Sequence, residues 1–157
     1  MTAELEIGQA APDFTRPASD GNDFTLSALR GQGVVLFFYS KNNTAGCTKE
    51  AVEFRDLYEE FKALNKVIVG ISRDTPSSHQ KFIVKHDLPF LLVSDEDRSV
   101  SALYQVLKEK TMYGKKTIGV ERSTFVIDSD GSLSHIFRKV KAAGHAQQVL
   151  RTLQGQA

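Results

Sequence analysis

The sequence predicts an α/β protein in which helices cover both faces of a central mixed β-sheet. Between Val34 and Val93, apolar strand-like runs alternate with segments of helical periodicity, which is typical of parallel strands joined by crossover helices. Two later strand-like segments are separated only by the turn-forming residues 128–131, which indicates an antiparallel pair. A final segment with helical spacing of its apolar residues completes this α/β pattern.

The N-terminal segment, residues 8–33, is rich in turn-forming residues. Residues 14–16 and 23–26 flank the pair Asp20-Gly21, and this arrangement predicts a short hairpin. Residues 26–29 have the length of a single helical turn.

Three apolar runs predict the buried strands of the sheet: residues 34–39, 67–72 and 90–93. The first is β-branched and aromatic throughout, as expected of a central strand that is covered on both faces. A helix is predicted between the first two strands, with a core-facing stripe of Phe54, Leu57, Tyr58, Phe61 and Leu64. A second helix is predicted to begin at Thr75-Pro76 and to run toward His86.

The C-terminal part predicts a short helix at residues 99–104 and a polar surface loop at residues 108–119. Residues 123–127 and 133–140 form the predicted antiparallel pair. The last helix has an apolar stripe of Ala146, Val149, Leu150 and Leu153. No linker, repeat or low-complexity segment interrupts the chain, so we expect one domain over residues 1–157.

The composition limits the classes of function. Twenty basic and nineteen acidic residues nearly cancel, and without a basic run we expect neither a nucleic-acid partner nor a membrane partner. The longest apolar run has six residues, whereas a membrane-spanning helix needs about 20. The first seven residues lack the pattern of a secretory signal, and a single cysteine fits a reducing compartment, so we expect a cytoplasmic protein. The four histidines have no metal-site spacing, so we expect no metal and no cofactor, with His79 and His86 on the solvated surface.

Cys47, the one cysteine, follows the central strand and a polar, glycine-containing loop. The next helix begins at this point, which places Cys47 in its first turn and Thr44 at its N-cap. Unpaired N–H groups there favour an anion, and a thiol needs such surroundings to ionise near neutral pH. A buried, unreactive cysteine is the alternative interpretation, and the polar loop argues against it.

The run from Ser40 to Cys47 resembles the P-x-x-x-[TS]-x-x-C motif of peroxiredoxins, and residues 38–51 resemble the bacterioferritin comigratory protein, or peroxiredoxin Q, subfamily. Residues 122–128 are similar to the segment that supplies a second-motif arginine in that family, and residues 8–14 fit its opening segment. This resemblance implies a thioredoxin-like fold, in agreement with the predicted order of strands and helices. It also implies reduction of hydrogen peroxide or an organic hydroperoxide.

The resemblance implies a role for each residue of the site. Cys47 would attack the peroxide as a thiolate and become a sulfenic acid. Arg122 would lower the pKa of the thiol and bind the peroxide oxygens, and Thr44 and the main chain at Gly46-Cys47 would add donors. Glu50, one turn after Cys47, would orient Arg122 through a bidentate pair.

The sequence departs from the family at two places that matter. Ser40 replaces the motif proline, which leaves the shielding of the sulfur open. Val52 and Ile83 occupy the positions where other members carry a second, resolving cysteine. No internal disulfide can form, so we expect an external thiol reductant: thioredoxin, glutaredoxin or a low-molecular-weight thiol.

Two other functions stay open at this point. One is a peroxide sensor or thiol relay that passes oxidation to a partner protein, and the other is a redox-inactive binding or holdase module in which Cys47 is unperturbed. By analogy with the subfamily we expect a monomer or a weak homodimer.

Overall fold

The computed structural model describes residues 4–155, apart from the side chains of Lys110 and Met112. The two ends of the predicted domain, 1–3 and 156–157, therefore lie outside the described residues. The strands are β1 Thr15–Pro17, β2 Asp23–Thr25, β3 Gly33–Phe38, β4 Lys66–Ser72, β5 Leu91–Ser94, β6 Leu107–Met112, β7 Lys115–Val120, β8 Ser123–Ile127 and β9 Leu133–Phe137. The helices are α1 Ala45–Asp56, α2 Tyr58–Ala63, α3 Pro76–His86, α4 Ser99–Leu103 and α5 His145–Leu153, and a single 3-10 turn covers Leu26–Leu29.

The central sheet has the strand order β5-β4-β3-β8-β9. Strands β3, β4 and β5 are parallel, whereas β8 runs antiparallel to β3 and β9 antiparallel to β8. This mixed sheet confirms the predicted fold class. The predicted N-terminal hairpin is confirmed as the antiparallel pair β1 and β2.

Strand β3 is buried on both faces because each face packs against its own core. Its even-numbered residues Val34, Leu36 and Phe38 belong to a first core cluster, formed with the N-terminal hairpin and α4. Its odd-numbered residues Val35 and Phe37 belong to a second core cluster, formed with α1, α3 and α5. The alternation follows from the two-residue period of a strand.

Three predictions of local structure were wrong. The predicted loop at residues 108–119 is the antiparallel hairpin β6–β7, whose two-residue turn places Tyr113 and Gly114 at φ 53° and 79°. Its side chains are mostly exposed, so no apolar alternation marked it as a strand. The single helix predicted after Cys47 is interrupted at Leu57 between α1 and α2, and strand β9 ends at Phe137 rather than at Val140.

Within residues 4–155, no helix has the length and apolar character that crossing a bilayer requires.

Candidate active site

Cys47 is the third residue of α1, directly beyond the loop that follows the central strand β3. This confirms its predicted place in the first helical turn. The first helical hydrogen bond runs from the Thr48 N–H to the Thr44 carbonyl, at 2.9 Å. The N–H groups of residues 45–47 precede that bond, so their partial positive charge lies around the sulfur. The Cys47 side chain is 1% exposed and belongs to the second core cluster.

Thr44 occupies the N-cap position in an extended conformation, as predicted, but its side chain makes no capping hydrogen bond. Its hydroxyl donates instead to the Lys41 carbonyl, at 3.1 Å, and so closes the turn before the helix. Rotation of this one hydroxyl decides whether it donates to the main chain or to a group in the site.

Ser40 is the residue that replaces the motif proline, and its Oγ lies 3.4 Å from the Cys47 Sγ. The hydroxyl can donate to a thiolate, which a proline cannot do. The family resemblance alone indicates only a lost shield at this position. The serine hydroxyl is visible in the sequence, but its spacing to Cys47 does not show that it faces the sulfur.

Arg122 reaches the sulfur because β8 pairs with β3. In that register Ser123 lies opposite Phe38, so the residue before β8 comes next to the loop after β3. The Arg122 Nη2 donates to the Cys47 Sγ at 3.5 Å, and Nη1 donates to the Glu50 Oε1 at 2.7 Å. Residues 75 positions apart in the sequence therefore share one site.

Glu50 lies one turn after Cys47 and is fully buried. Its pair with Arg122 is a single hydrogen bond, so the predicted bidentate pair is wrong. Within residues 4–155 the second carboxylate oxygen, Oε2, has no hydrogen-bond partner. Burial raises the pKa of Glu50, and the Arg122 charge offsets part of that rise.

The sulfur of Cys47 is subject to opposing effects. Burial alone would raise the pKa of the thiol, because it disfavours the charged form. The hydroxyls of Ser40 and Thr44, the Lys41 main chain and the Arg122 charge act in the other direction and lower the pKa to about 7. A substantial fraction of Cys47 is therefore thiolate at neutral pH.

Gly46 leaves the space that the guanidinium of Arg122 occupies. A Cβ atom at this position would lie 3.1 Å from the Arg122 Nη2 and 3.8 Å from the Ala142 Cβ. A side chain on residue 46 would therefore require the Arg122 guanidinium to shift by a few tenths of an ångström beside the sulfur.

A buried polar network on His79 holds the loop before Cys47. The Asn42 Nδ2 lies 3.1 Å from the His79 Nδ1, and the Tyr39 hydroxyl donates to the Asn42 Oδ1 at 2.7 Å. The His79 Nε2 lies 3.1 Å from the Val93 carbonyl, and the Asn42 N–H donates to the Asp74 carboxylate at 2.8 Å. The network ties the loop to both α3 and β5.

The predicted surface position of His79 is wrong, because its side chain is 0% exposed. Burial lowers the pKa of His79 to about 4, so the ring is neutral at pH 7. Helical spacing could have revealed this, since His79 precedes the buried Phe82 by three residues on one face of α3. His86, in contrast, is partly exposed at the end of α3.

The chain is similar to known proteins over most of its length. The model of the AhpC/TSA family matches residues 7–136. The chain is 48% identical over 150 residues to a putative peroxiredoxin bcp of Helicobacter pylori, covering 96% of this chain and 99% of that protein. It is 45% identical over 149 residues to peroxiredoxin Bcp of Bacillus subtilis, covering 95% of each chain.

Solved structures of peroxiredoxin Q and of a bacterioferritin comigratory protein have a similar fold. A cysteine-to-serine variant of PrxQ from Xylella fastidiosa superposes with a TM-score of 0.92 at 37% identity, over 99% of each chain. The bacterioferritin comigratory protein of Xanthomonas campestris, described for its alkyl peroxide reduction activity, superposes with a TM-score of 0.89 at 41% identity, also over 99% of each chain.

Proposed function

Because this chain belongs to the AhpC/TSA family, in its Bcp or peroxiredoxin Q group, and is a thiol-dependent peroxidase, we propose that Cys47 is the residue that reduces the peroxide. The observation that carries this proposal is the position of Sγ between the Arg122 guanidinium and the Ser40 hydroxyl, at 3.5 and 3.4 Å. These groups favour the ionised sulfur, and the thiolate is the nucleophilic form of cysteine.

In the first step, the Cys47 thiolate attacks the terminal oxygen of a hydroperoxide. A sulfur–oxygen bond forms, the O–O bond breaks, and the leaving alkoxide or hydroxide takes up a proton. The sulfur is oxidised to a sulfenic acid while the peroxide is reduced to an alcohol or to water.

Negative charge moves from sulfur to the departing oxygen during this step. The donors that can stabilise the growing charge on that oxygen are Arg122, the Thr44 hydroxyl and the N–H groups at Gly46 and Cys47. They stabilise the transition state more than the bound peroxide, and loss of one such donor costs about a hundredfold in rate. Glu50 acts through Arg122, since its one hydrogen bond orients the guanidinium.

The second half of the cycle uses an external thiol, because Cys47 has no second cysteine in the chain to pair with. The thiol sulfur attacks the sulfenic sulfur, a mixed disulfide forms, and water leaves. A second thiol then reduces the mixed disulfide and returns Cys47 to its reduced form. The candidate reductants are thioredoxin, glutaredoxin and small thiols.

The compartment and assembly that suit this cycle are a reducing cytoplasm and a monomer or weak homodimer. Nucleic acid and membrane have no part in it. At high peroxide concentration, a second oxidation to sulfinic acid is the expected failure, because no internal thiol intercepts the sulfenic acid.

Stopped-flow kinetics of the reduced protein with hydrogen peroxide tests the proposal, with Cys47→Ser as the control. We expect one oxygen atom to be added to wild type, by mass spectrometry, and none to the variant. Oxidation no faster than that of free cysteine would contradict the assignment of Cys47. An unperturbed thiol pKa near 8.5 would instead favour the redox-inactive module.

A further inference from the structure

Two cavities open beside Ser40, the residue whose hydroxyl contacts the Cys47 sulfur. One, of about 180 Å³, is lined by Ser40, Lys41, Arg73, Arg98 and residues 118–120 of β7. The other, of about 290 Å³, is lined by Ser40, residues 120–122, Lys139 and Val140. Both cavities therefore adjoin the Ser40 hydroxyl, whose Oγ lies 3.4 Å from the buried Cys47 Sγ.

The first cavity carries three positive side chains, Lys41, Arg73 and Arg98, and no carboxylate lines it. We refer to these three residues as the cationic mouth. In the described part of the chain, none of the three forms an ion pair. Arg98 is held in place because its Nη1 donates to the Ile118 carbonyl, at 2.6 Å.

The charge of the second cavity is more balanced. Glu121 lies there with Lys139 and Arg122, and Arg122 is already paired with Glu50. The formal net charge of the whole chain is only +1, so the cationic mouth is a local concentration of positive charge. Such a concentration beside a reactive centre attracts small anions.

We propose that the cationic mouth binds a small thiol that carries a carboxylate, and that this thiol reduces the oxidised Cys47. This inference rests on the proposed function, because it names the reductant of that cycle. The thiol attacks the Cys47 sulfenic sulfur, an S–S bond forms, the S–O bond breaks, and the hydroxyl leaves as water with the thiol proton. A second molecule of the same thiol then releases Cys47 and forms the symmetrical disulfide.

Size and charge together favour a small molecule. The cavity is small and adjoins Ser40, so a thiol whose carboxylate contacts Arg73 or Lys41 can extend its sulfur toward the site. Positive charge also lowers the pKa of a bound thiol and increases the thiolate that attacks. A hydroperoxide with a carboxylate has the same anionic chemistry, so the experiment has to separate the two sources.

The experiment compares three thiols of similar size: 3-mercaptopropionate, neutral 2-mercaptoethanol and cationic cysteamine. Cys47 is first oxidised with one equivalent of hydrogen peroxide, and the rate of its reduction is then measured by stopped flow, per thiolate. The readout is the ratio of the 3-mercaptopropionate rate to the 2-mercaptoethanol rate within each protein. This ratio cancels effects that are common to both thiols.

For wild type we expect a ratio on the order of ten at low ionic strength, from three charges that each act across several ångströms of water. Cysteamine should be the slowest, and the ratio should fall toward one near 1 M salt. Arg73→Glu should lower the ratio about fivefold, because it reverses one charge of the mouth. Lys85→Glu, at the far end of α3 from the loop before Cys47, should leave the ratio at the wild-type value.

Equal rates for the three thiols, or an equal change in both variants, would overturn this inference alone. Failure of peroxide to form the sulfenic acid would overturn both this inference and the proposed function. In a parallel arm, the oxidation step is measured with linoleate hydroperoxide and its methyl ester. A preference for the free acid that Arg73→Glu abolishes, without any preference among the thiols, would assign the mouth to the peroxide and overturn the inference.

Discussion

Replacing Arg122 by glutamine removes the charge that lies closest to the reactive sulfur. Its Nη2 is 3.5 Å from the Cys47 Sγ. At this separation, the attraction between unit charges is about 1 kcal/mol in water and about 5 kcal/mol at an effective dielectric constant of ~20. Glu50, left without its partner, takes up a proton because burial already raises its pKa, and this lowers the negative charge near the sulfur. The lower part of the range therefore applies.

We expect the Cys47 pKa to rise by about 1 to 2 units in Arg122→Gln, from its present value of about 7. At pH 7 the thiolate then falls from about half of the protein to roughly a tenth or less. Loss of a donor to the departing oxygen adds about a hundredfold, so the peroxide rate at pH 7 falls by about a thousandfold. At high pH, where the thiolate is restored, only the hundredfold loss should remain.

The assay is a titration of the ultraviolet absorbance of the thiolate, combined with stopped-flow oxidation across the same pH range. Glu50→Gln is the matched control, because it removes the buried carboxylate and keeps the guanidinium. We expect no rise of the Cys47 pKa in that variant, because burial already raises the pKa of Glu50 to about 8 and the carboxyl carries little charge at pH 7. An unchanged pKa in Arg122→Gln, or the same rise in both variants, would refute the electrostatic reasoning.

Four further predictions follow from the same site. Gly46→Ala should slow peroxide reduction on the order of tenfold, because its Cβ would lie 3.1 Å from the Arg122 Nη2 and the guanidinium has to shift beside the sulfur, and circular dichroism should show an intact fold. Ser40→Ala should raise the Cys47 pKa by about one unit through loss of a hydroxyl donor to the thiolate, and an unchanged thiol titration would exclude that role. The peroxide rate of wild type should rise with pH and reach half its maximum near the Cys47 pKa of about 7, whereas a midpoint near 8.5 would contradict an activated thiol. The His79 pKa is about 4 in the folded chain against 6.5 in the unfolded chain, so the unfolded chain binds more protons between these values. Folding stability should therefore fall by up to about 3 kcal/mol as pH drops from about 6.5 to 4, and urea titrations of His79→Gln should lack this slope.

The sequence predicted those parts of the fold in which neighbouring residues along the chain show the pattern of a buried strand or of a helix start. Strand β3 and the start of α3 at Thr75 carry continuous apolar or capping signals, and both agree with the structure. The hairpin β6–β7 was missed because its exposed side chains need no apolar alternation. The spacing of His79 to Phe82 indicates the buried face of α3, but the polar partners that satisfy the His79 ring there come from distant segments of the chain.

Only part of the site could be predicted, because some of its contacts join residues that are far apart in the sequence. A strand-to-helix turn around Cys47 can be inferred from the neighbouring residues, but the approach of Arg122 depends on strand register and came only from the family resemblance. The single bond to Glu50 and the contact of Ser40 with the sulfur depend on side-chain directions. Spacing along the chain carries no information about those directions.

The division of the interior by the central sheet has a consequence for engineering the molecule. Cys47 lies in the second core cluster, whereas Phe24 and Val100 lie in the first, across the sheet. Substitutions in well-separated parts of a protein usually have additive effects on stability. Repacking around Phe24 and Val100 should therefore raise heat resistance independently of substitutions that tune the surroundings of the sulfur.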